Sequence, residues 1–179
     1  TRALAHLGDV AGHPLRAAPH LPSALPAHDA MAATSAALRA LAAALFALAT
    51  DVRLYAAGPR AGIAELRLPA HEPGSSMMPG KVNPTQCEAL TMVALHVFGA
   101  DATVAWANAQ GAFQLNVYKP LILHHVLDSA RLLGDACTSF AAYGVEGLAL
   151  DRERVERHVR ESLMLGTALV PFIGYDRAA

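Results

Sequence analysis

The residues best suited to chemistry lie in one segment, GSSMMPGKVNPTQCEAL, at positions 74–90. Ser75 and Ser76 supply hydroxyl groups, while Lys81 and Asn83 are two positions apart. A lysine carries a compact positive charge, and an asparagine side chain both donates and accepts hydrogen bonds. Together these side chains would suit a carboxylate, with the lysine supplying charge and the asparagine supplying direction.

The predicted start of a helix beside this segment strengthens the carboxylate interpretation. Asn83 is a favourable N-cap and Pro84 suits a first helical turn, so a helix is predicted to begin at Pro84. The dipole and unpaired amides of such an N-terminus attract anions. The alternative is an ordinary surface connection, with Lys81 in solvent and Met77 and Met78 packing the loop onto the protein. A helix-free stretch of about 26 residues favours a functional loop.

Two predicted helices flank the loop. The first runs from about Asp29 to Tyr55 and stops before the Gly58-Pro59 pair. Its apolar residues recur at the spacing of one helix face: Leu38, Leu41, Leu45, Leu48, Val52 and Tyr55. The second runs from Pro84 towards Gln110. Between them, the alternation at 63–68 is typical of a short strand or hairpin arm.

Two further helices follow along the chain. The third is predicted from about Lys119 to Ala142, with apolar positions at Leu121, Ile122, Val126, Leu127, Leu132 and Leu133. Asp151 is predicted to cap the fourth, whose buried stripe is Val155, Val159, Leu163 and Leu169. The predicted fold class is therefore all-α, a long-helix bundle carrying one long glycine- and proline-rich loop.

Composition narrows the kinds of partner. Hydrophobic residues make up 54% of the chain and the formal net charge is -1, and with no basic stripe we expect no nucleic-acid partner. Two cysteines without a ligand cluster predict no metal site and no cofactor. The most apolar run, residues 38–49, has only about 12 residues, so we expect no membrane span. No secretory leader is recognisable at the start, which predicts a cytoplasmic protein.

The segment GSSMMPGKVNP resembles the signature loop of the fumarase/aspartase superfamily, which reads roughly G-S-S-x-M-P-x-K-x-N-P. The following TQCEAL is similar to class II fumarases rather than to aspartases. GPRAGIAE at 58–65, FQLNVYKP at 113–120 and the closing ESLMLGTALVPFIGYDRAA are also similar to that family. The resemblance covers residues 28–179 as a central helical domain with its signature loop at 74–84. Residues 1–27, which contain four prolines, match poorly and predict an irregular lead-in.

The resemblance implies a reaction and a set of roles. The reaction is the reversible hydration of fumarate to (S)-malate through an aci-carboxylate carbanion, in the tricarboxylic acid cycle. It implies Ser75 as the catalytic base and Glu88 as a supporting residue that orients a histidine of a neighbouring subunit. A small dicarboxylate substrate would be bound by Ser76, Lys81, the amide of Val82 and Asn83. It also implies a homotetramer with active sites shared between subunits.

Departures from the family pattern keep alternatives open. Gln114 stands where these enzymes usually have glutamate, and Ala112 where they usually have asparagine. The family's upstream histidine motif is not visible and both ends look cut, so we expect upstream and C-terminal parts to be absent and this chain alone to be inactive. One alternative is an aspartate ammonia-lyase of the same superfamily. Another is a non-catalytic, truncated paralogue that only assembles.

Overall fold

The computed structural model describes residues 2–179, which are predominantly helical. The α-helices are α1 Arg2–Ala11, α2 Leu21–Ala24, α3 Asp29–Tyr55, α4 Thr85–Asn108, α5 Lys119–Phe140, α6 Arg152–Glu161, α7 Val170–Ile173 and α8 Tyr175–Ala178. Short 3-10 helices cover Ala112–Gln114 and Leu163–Leu169, and a π-helical turn covers Ala141–Val145. Strands β1 Leu66–Arg67 and β2 Ala149–Leu150 have two residues each. The prediction of an all-α fold is confirmed.

Helix α3 has the predicted bounds, but small residues form its most buried face. Ser35, Ala42 and Ala49 are 5%, 0% and 0% exposed. Three members of the predicted apolar face, Leu41, Leu48 and Tyr55, are 47%, 48% and 44% exposed. The distance between packed helices depends on the side chains at the contact, and small ones permit a close approach. The leucines on the adjacent face are then left at the surface.

The chain divides into two compact units, each with its own core. The first contains residues 2–40 and 96–130. Its core is Val104, Ala107, Ile122 and Val126, against which Met31, Ala32 and Leu38 pack. Asn116 is buried here at 1% exposure; its amide donates to the carbonyl of Ala107 at 2.9 Å, and its Oδ1 accepts from the amide of Tyr118 at 2.8 Å. This buried asparagine therefore fixes the turn that leads into α5.

The second unit contains residues 41–95 and 131–179 and carries the glycine-rich loop. Its core is Ala49, Cys87, Leu90 and Phe140, with Leu45, Val52 and Ala136 packed against it. The predicted alternation at 63–68 does form a strand, though a short one. β1 pairs antiparallel with β2, with Leu66 opposite Leu150 and Arg67 opposite Ala149.

The start of the chain is more regular than predicted. Residues 1–27 were expected to be irregular, yet Arg2–Ala11 forms α1; Thr1 lies outside the described residues. The four prolines of this region, from Pro14 onwards, all follow α1 and cannot interrupt it. The irregular prediction was wrong for this helix.

The end of the chain also differs from prediction. Asp151 caps α6 as predicted, since its carboxylate accepts from the amide of Arg154. The helix ends at Glu161, however, because Ser162 adopts an extended conformation. The predicted buried stripe fails on both sides of that break: Val159, within α6, is 51% exposed, and Leu163 and Leu169, beyond it, are 94% and 51% exposed.

By length and composition, the segment Leu21–Tyr55, which includes α2 and α3, and helix α4 at Thr85–Asn108 would each be long and apolar enough to cross a membrane. Residues 38–49, from which no span was predicted, are only part of the first of these segments. Core helices of globular proteins meet the same criterion of length and composition.

Candidate active site

The candidate site is the loop from Gly74 to Asn83, which two hydrogen bonds close at its base. The amide of Gly74 donates to the carbonyl of Lys81 at 3.0 Å, and the side-chain amide of Asn83 donates to the carbonyl of Gly74 at 2.8 Å. A Cβ on Gly74 would lie 2.3 Å from the carbonyl oxygen of Lys81, so this approach requires glycine. Gly80 adopts a φ of +74°, in the left-handed region. The two glycines therefore determine the shape of the loop.

Ser75 is held inside this loop by backbone amides. Its Oγ accepts hydrogen bonds from the amides of Met77 at 3.1 Å and Met78 at 3.3 Å. Donors aimed at an oxygen favour its negatively charged form. Ser75 is half-buried, whereas Ser76 is exposed. Two backbone donors therefore point at the Ser75 oxygen, whereas the Ser76 side chain is exposed.

Lys81 and Asn83 follow in the loop but line different clefts. Lys81 and Val82 line a cleft of about 770 Å³, whereas Val82 and Asn83 line one of about 240 Å³. One donor of the Asn83 amide is already used on Gly74. In this single chain the structure thus brings Lys81 and Asn83 into one loop without directing both side chains into one cleft.

Helix α4 begins at Thr85, one residue later than predicted, and its first turn carries Glu88. The Glu88 carboxylate lies 3.9 Å from the guanidinium of Arg53, and its side chain is 42% exposed. The neighbouring Cys87 is buried at 1% exposure, and burial raises the pKa of its thiol. Gln86 anchors the same turn by accepting a hydrogen bond from the Ser139 hydroxyl at 2.8 Å. The start of α4 is therefore firmly held.

Sequence reasoning missed two arginines beside the loop. Arg67 and Arg154 line the larger cleft together with Lys81. Arg67 binds Asp151 at 2.7 Å, and Arg154 donates to the carbonyl of Pro59 at 2.8 Å. The alternation of apolar and polar residues at 63–68 could have indicated Arg67, because alternate residues of a strand share one face.

The two positions that depart from the family pattern lie in the other unit. Ala112 and Gln114 belong to one 3-10 helix, in which Phe113 and Gln114 have φ of +51° and +62°. Gln114 is exposed. Within residues 2–179 no hydrogen bond to its side chain is observed, so its role here stays a prediction.

The helices and the glycine-closed loop define an all-α protein with a serine, a lysine and an asparagine presented from one irregular segment. A family model described as lyase matches residues 1–99. The chain belongs to this lyase family.

Several known proteins are similar to the chain. The class II fumarate hydratase of Pseudomonas syringae pv. tomato is 54% identical over 175 residues, which cover 98% of this chain and 38% of that protein. The mitochondrial fumarate hydratase of Dictyostelium discoideum is 52% identical over 168 residues, covering 94% of this chain and 35% of that protein. The chain therefore spans little more than a third of the length of these relatives, and the family match includes residues 1–27.

Solved structures show the same architecture. The fumarate lyase:delta crystallin from Brucella melitensis superposes with a TM-score of 0.91 at 44% identity, covering 99% of this chain and 41% of that one. The class II fumarase from Schistosoma mansoni superposes with a TM-score of 0.89 at 45% identity, covering 92% of this chain and 34% of that one.

Proposed function

We propose that this chain is part of a class II fumarate hydratase, which interconverts fumarate and (S)-malate in the tricarboxylic acid cycle. The observation that carries the proposal is the environment of Ser75, whose Oγ accepts two backbone amides inside a glycine-closed loop that also presents Lys81. The fumarate hydratases to which the chain is similar support the choice of reaction.

The proposed chemistry follows from where charge develops. Ser75 removes a proton from the carbon next to a carboxylate of malate, and the electron pair left behind is delocalised onto that carboxylate. The Lys81 ammonium, the Val82 amide and the Asn83 side chain bind this carboxylate, while Ser76 contacts the substrate. Groups already positioned for developing charge usually contribute most to the rate. The carbon–oxygen bond on the neighbouring carbon then breaks, and the hydroxyl leaves as water after accepting a proton.

Glu88 has a supporting role in the proposal. We infer that its carboxylate, on the first turn of α4, orients a histidine of a neighbouring subunit on the water side of the reaction. Its 42% exposed side chain is open to such a contact, and the 3.9 Å separation from Arg53 leaves that interaction weak. The proposed assembly is a cytoplasmic homotetramer whose active sites are shared between subunits. This chain would then supply one segment of each site.

The proposal is tested by following fumarate absorbance after adding malate to the full-length protein and, separately, to this 179-residue chain. We expect robust turnover by the full-length protein and little by the chain alone. Turnover of aspartate but not malate by the full-length protein would identify an ammonia-lyase. Turnover of neither substrate would favour the non-catalytic alternative. Robust turnover by the isolated chain would contradict the shared active site.

A further inference from the structure

The segment that leads into the loop, residues 69–73, is held by very few polar contacts. Pro69 and Pro73 have no amide hydrogen to donate. No hydrogen bond to residues 69–73 is observed in the part of the chain that the structure describes, residues 2–179. The strand pairing before this segment ends at Arg67, and the closure of the loop begins only at Gly74. The position of the segment therefore depends on packing.

One contact between aromatic rings joins this segment to the end of α5. The ring centroids of His71 and Tyr143 lie 5.5 Å apart, and the two rings meet edge to face at 84°. Aromatic rings attract each other in this arrangement, because the edge of one ring is positive and the face of the other is negative. Both residues line the cleft of about 240 Å³ that Val82 and Asn83 also line. The ring contact therefore lies beside both ends of the loop.

The π-helical turn Ala141–Val145 carries Tyr143 and is packed closely against α4. A Cβ on the buried Gly144 would lie 3.3 Å from the Cβ of Gln86, closer than ordinary van der Waals contact. The hydroxyl of Ser139, in the last turn of α5, donates to the Gln86 side chain at 2.8 Å. The turn is therefore fixed to the start of α4, which follows the loop. π-helical turns are frequent at functional sites.

The connection after this turn approaches the start of the same segment. Gly147 has a φ of +86°, and a Cβ on it would lie 3.6 Å from the Cβ of Pro69. Pro69 comes two residues after the end of β1, whereas His71 is only three residues before Gly74. The ring contact of His71 is therefore the attachment of this segment that lies nearest to the loop along the chain.

We propose that the contact between His71 and Tyr143 positions the loop that carries Ser75. Both act through the loop and are therefore positioning residues. The inference rests on the proposed function for the role of Ser75, and it goes beyond that function by giving a task to two side chains outside the loop. A reacting group must be held within about 0.5 Å of its productive position. Without the ring contact, residues 69–73 gain freedom and Ser75 spends less time in that position.

Hydrogen exchange of the loop in the full-length protein tests the contact without requiring any reaction. The amides of Gly74 and Met77 are suitable reporters, because they donate to the carbonyl of Lys81 and to the Oγ of Ser75. We expect Tyr143→Leu to speed exchange of the loop peptide about two- to tenfold, the scale of one aromatic pair. Tyr143→Phe keeps the ring and should stay within about twofold of the parent protein.

Further variants separate the ring contact from a general loss of stability. His71→Leu should speed loop exchange as much as Tyr143→Leu, and the double variant should add nothing, because either change alone removes the same contact. Tyr118→Leu is the matched control, since Tyr118 is a partly exposed tyrosine of the first unit. It should leave loop exchange within about twofold of the parent. Exchange around Leu90, which is 1% exposed in α4, should be unchanged in every variant.

Turnover of malate by the full-length protein completes the test. We expect Tyr143→Leu to lower kcat/KM about two- to tenfold and Tyr143→Phe to retain it. The inference is overturned by unchanged loop exchange in Tyr143→Leu, by equal effects of Tyr143→Phe and Tyr143→Leu, by additive effects in the double variant, or by equally faster exchange around Leu90. If the full-length protein does not convert malate while loop exchange still depends on the rings, the proposed function is wrong and the ring contact still positions the loop. If malate is converted and loop exchange is independent of the rings, the proposed function stands and this inference is wrong.

Discussion

At the residue scale, two backbone amides point at the oxygen of Ser75. A serine hydroxyl is a weak base unless its environment stabilises the charged form. The amides of Met77 and Met78 supply two such donors, at 3.1 and 3.3 Å. Both donors come from the loop itself, so the polarised serine is a product of the local turn rather than of a distant acid or histidine.

Replacing Ser75 therefore tests the proposed base directly. In the full-length protein we expect Ser75→Ala to lower kcat by about a hundredfold or more while leaving KM nearly unchanged, because the lost interaction would act in the transition state. Steady-state rates of malate conversion provide the measurement. Ser76→Ala is the matched control, and it is expected to raise KM more than it lowers kcat. An unchanged kcat in Ser75→Ala would place the base elsewhere.

At the scale of elements, Gly74 and Gly99 differ in what an added methyl group would contact. A Cβ on Gly74 would lie 2.3 Å from a backbone oxygen, whereas one on Gly99 meets nothing within 4 Å. Gly99 lies inside α4. The same substitution should therefore have opposite effects at the two positions.

We expect Gly74→Ala to destabilise the chain by about 1–3 kcal/mol, since the loop closure must shift to relieve the overlap. Gly99→Ala should stabilise it by about 0.5–1 kcal/mol, because alanine loses less freedom than glycine in a helix. Urea unfolding of both variants gives the two free energies. Equal effects, or a stabilised Gly74→Ala chain, would contradict the observed closure of the loop.

Asp151, the cap of α6, makes the stability of the chain depend on pH, and the sign of this dependence follows from the pKa of its carboxyl group. The hydrogen bond from Arg67, followed by that from the Arg154 amide, lowers the pKa of Asp151 below its usual value. An aspartate with a lowered folded-state pKa contributes stability that is complete above its unfolded pKa of about 3.9 and is lost as pH falls through the folded pKa.

Asp151→Asn should remove this contribution while keeping a good capping residue. We expect the free energy of unfolding to fall less steeply below about pH 4 in the variant than in the parent chain. Denaturant titrations at a series of pH values between 2 and 7 measure the difference. Identical slopes in both chains would mean that the pair of Arg67 and Asp151 does not contribute to stability.

Helix ends could be predicted from the sequence where a few neighbouring residues determine them. Gly58-Pro59 and the Asp151 cap are local signals, and they correctly predicted the end of α3 and the start of α6. The buried face of α3 was not predictable in the same way, because alanine is compatible with both surface and core. The loop motif indicated Ser75 and Lys81, but the contribution of Arg67 and Arg154 depends on the pairing of β1 with β2, which connects residues more than 80 positions apart.

At the scale of the whole molecule, large apolar side chains remain exposed along the long helices. In α3 these include Leu41, Leu48 and Tyr55, which recur every seven residues on one face. In α4, Met92, Leu95 and Trp106 are 64%, 56% and 75% exposed. Contiguous exposed apolar surface on a globular protein typically marks an interaction site. These faces support the proposal of a homo-oligomer.

The α3 face gives that proposal a direct test. A heptad-spaced apolar stripe packs against another helix, so we expect the chain to self-associate above its monomer mass of 18.7 kDa. The double variant Leu41→Glu and Leu48→Glu should shift the population towards the monomer, because it places two charges in the stripe. Leu163→Glu is the matched control: Leu163 is 94% exposed but lies outside the long helices, so its charge should leave the mass unchanged. Sedimentation equilibrium measures all three masses, and a monomeric parent chain or an unshifted double variant would exclude α3 as an association surface.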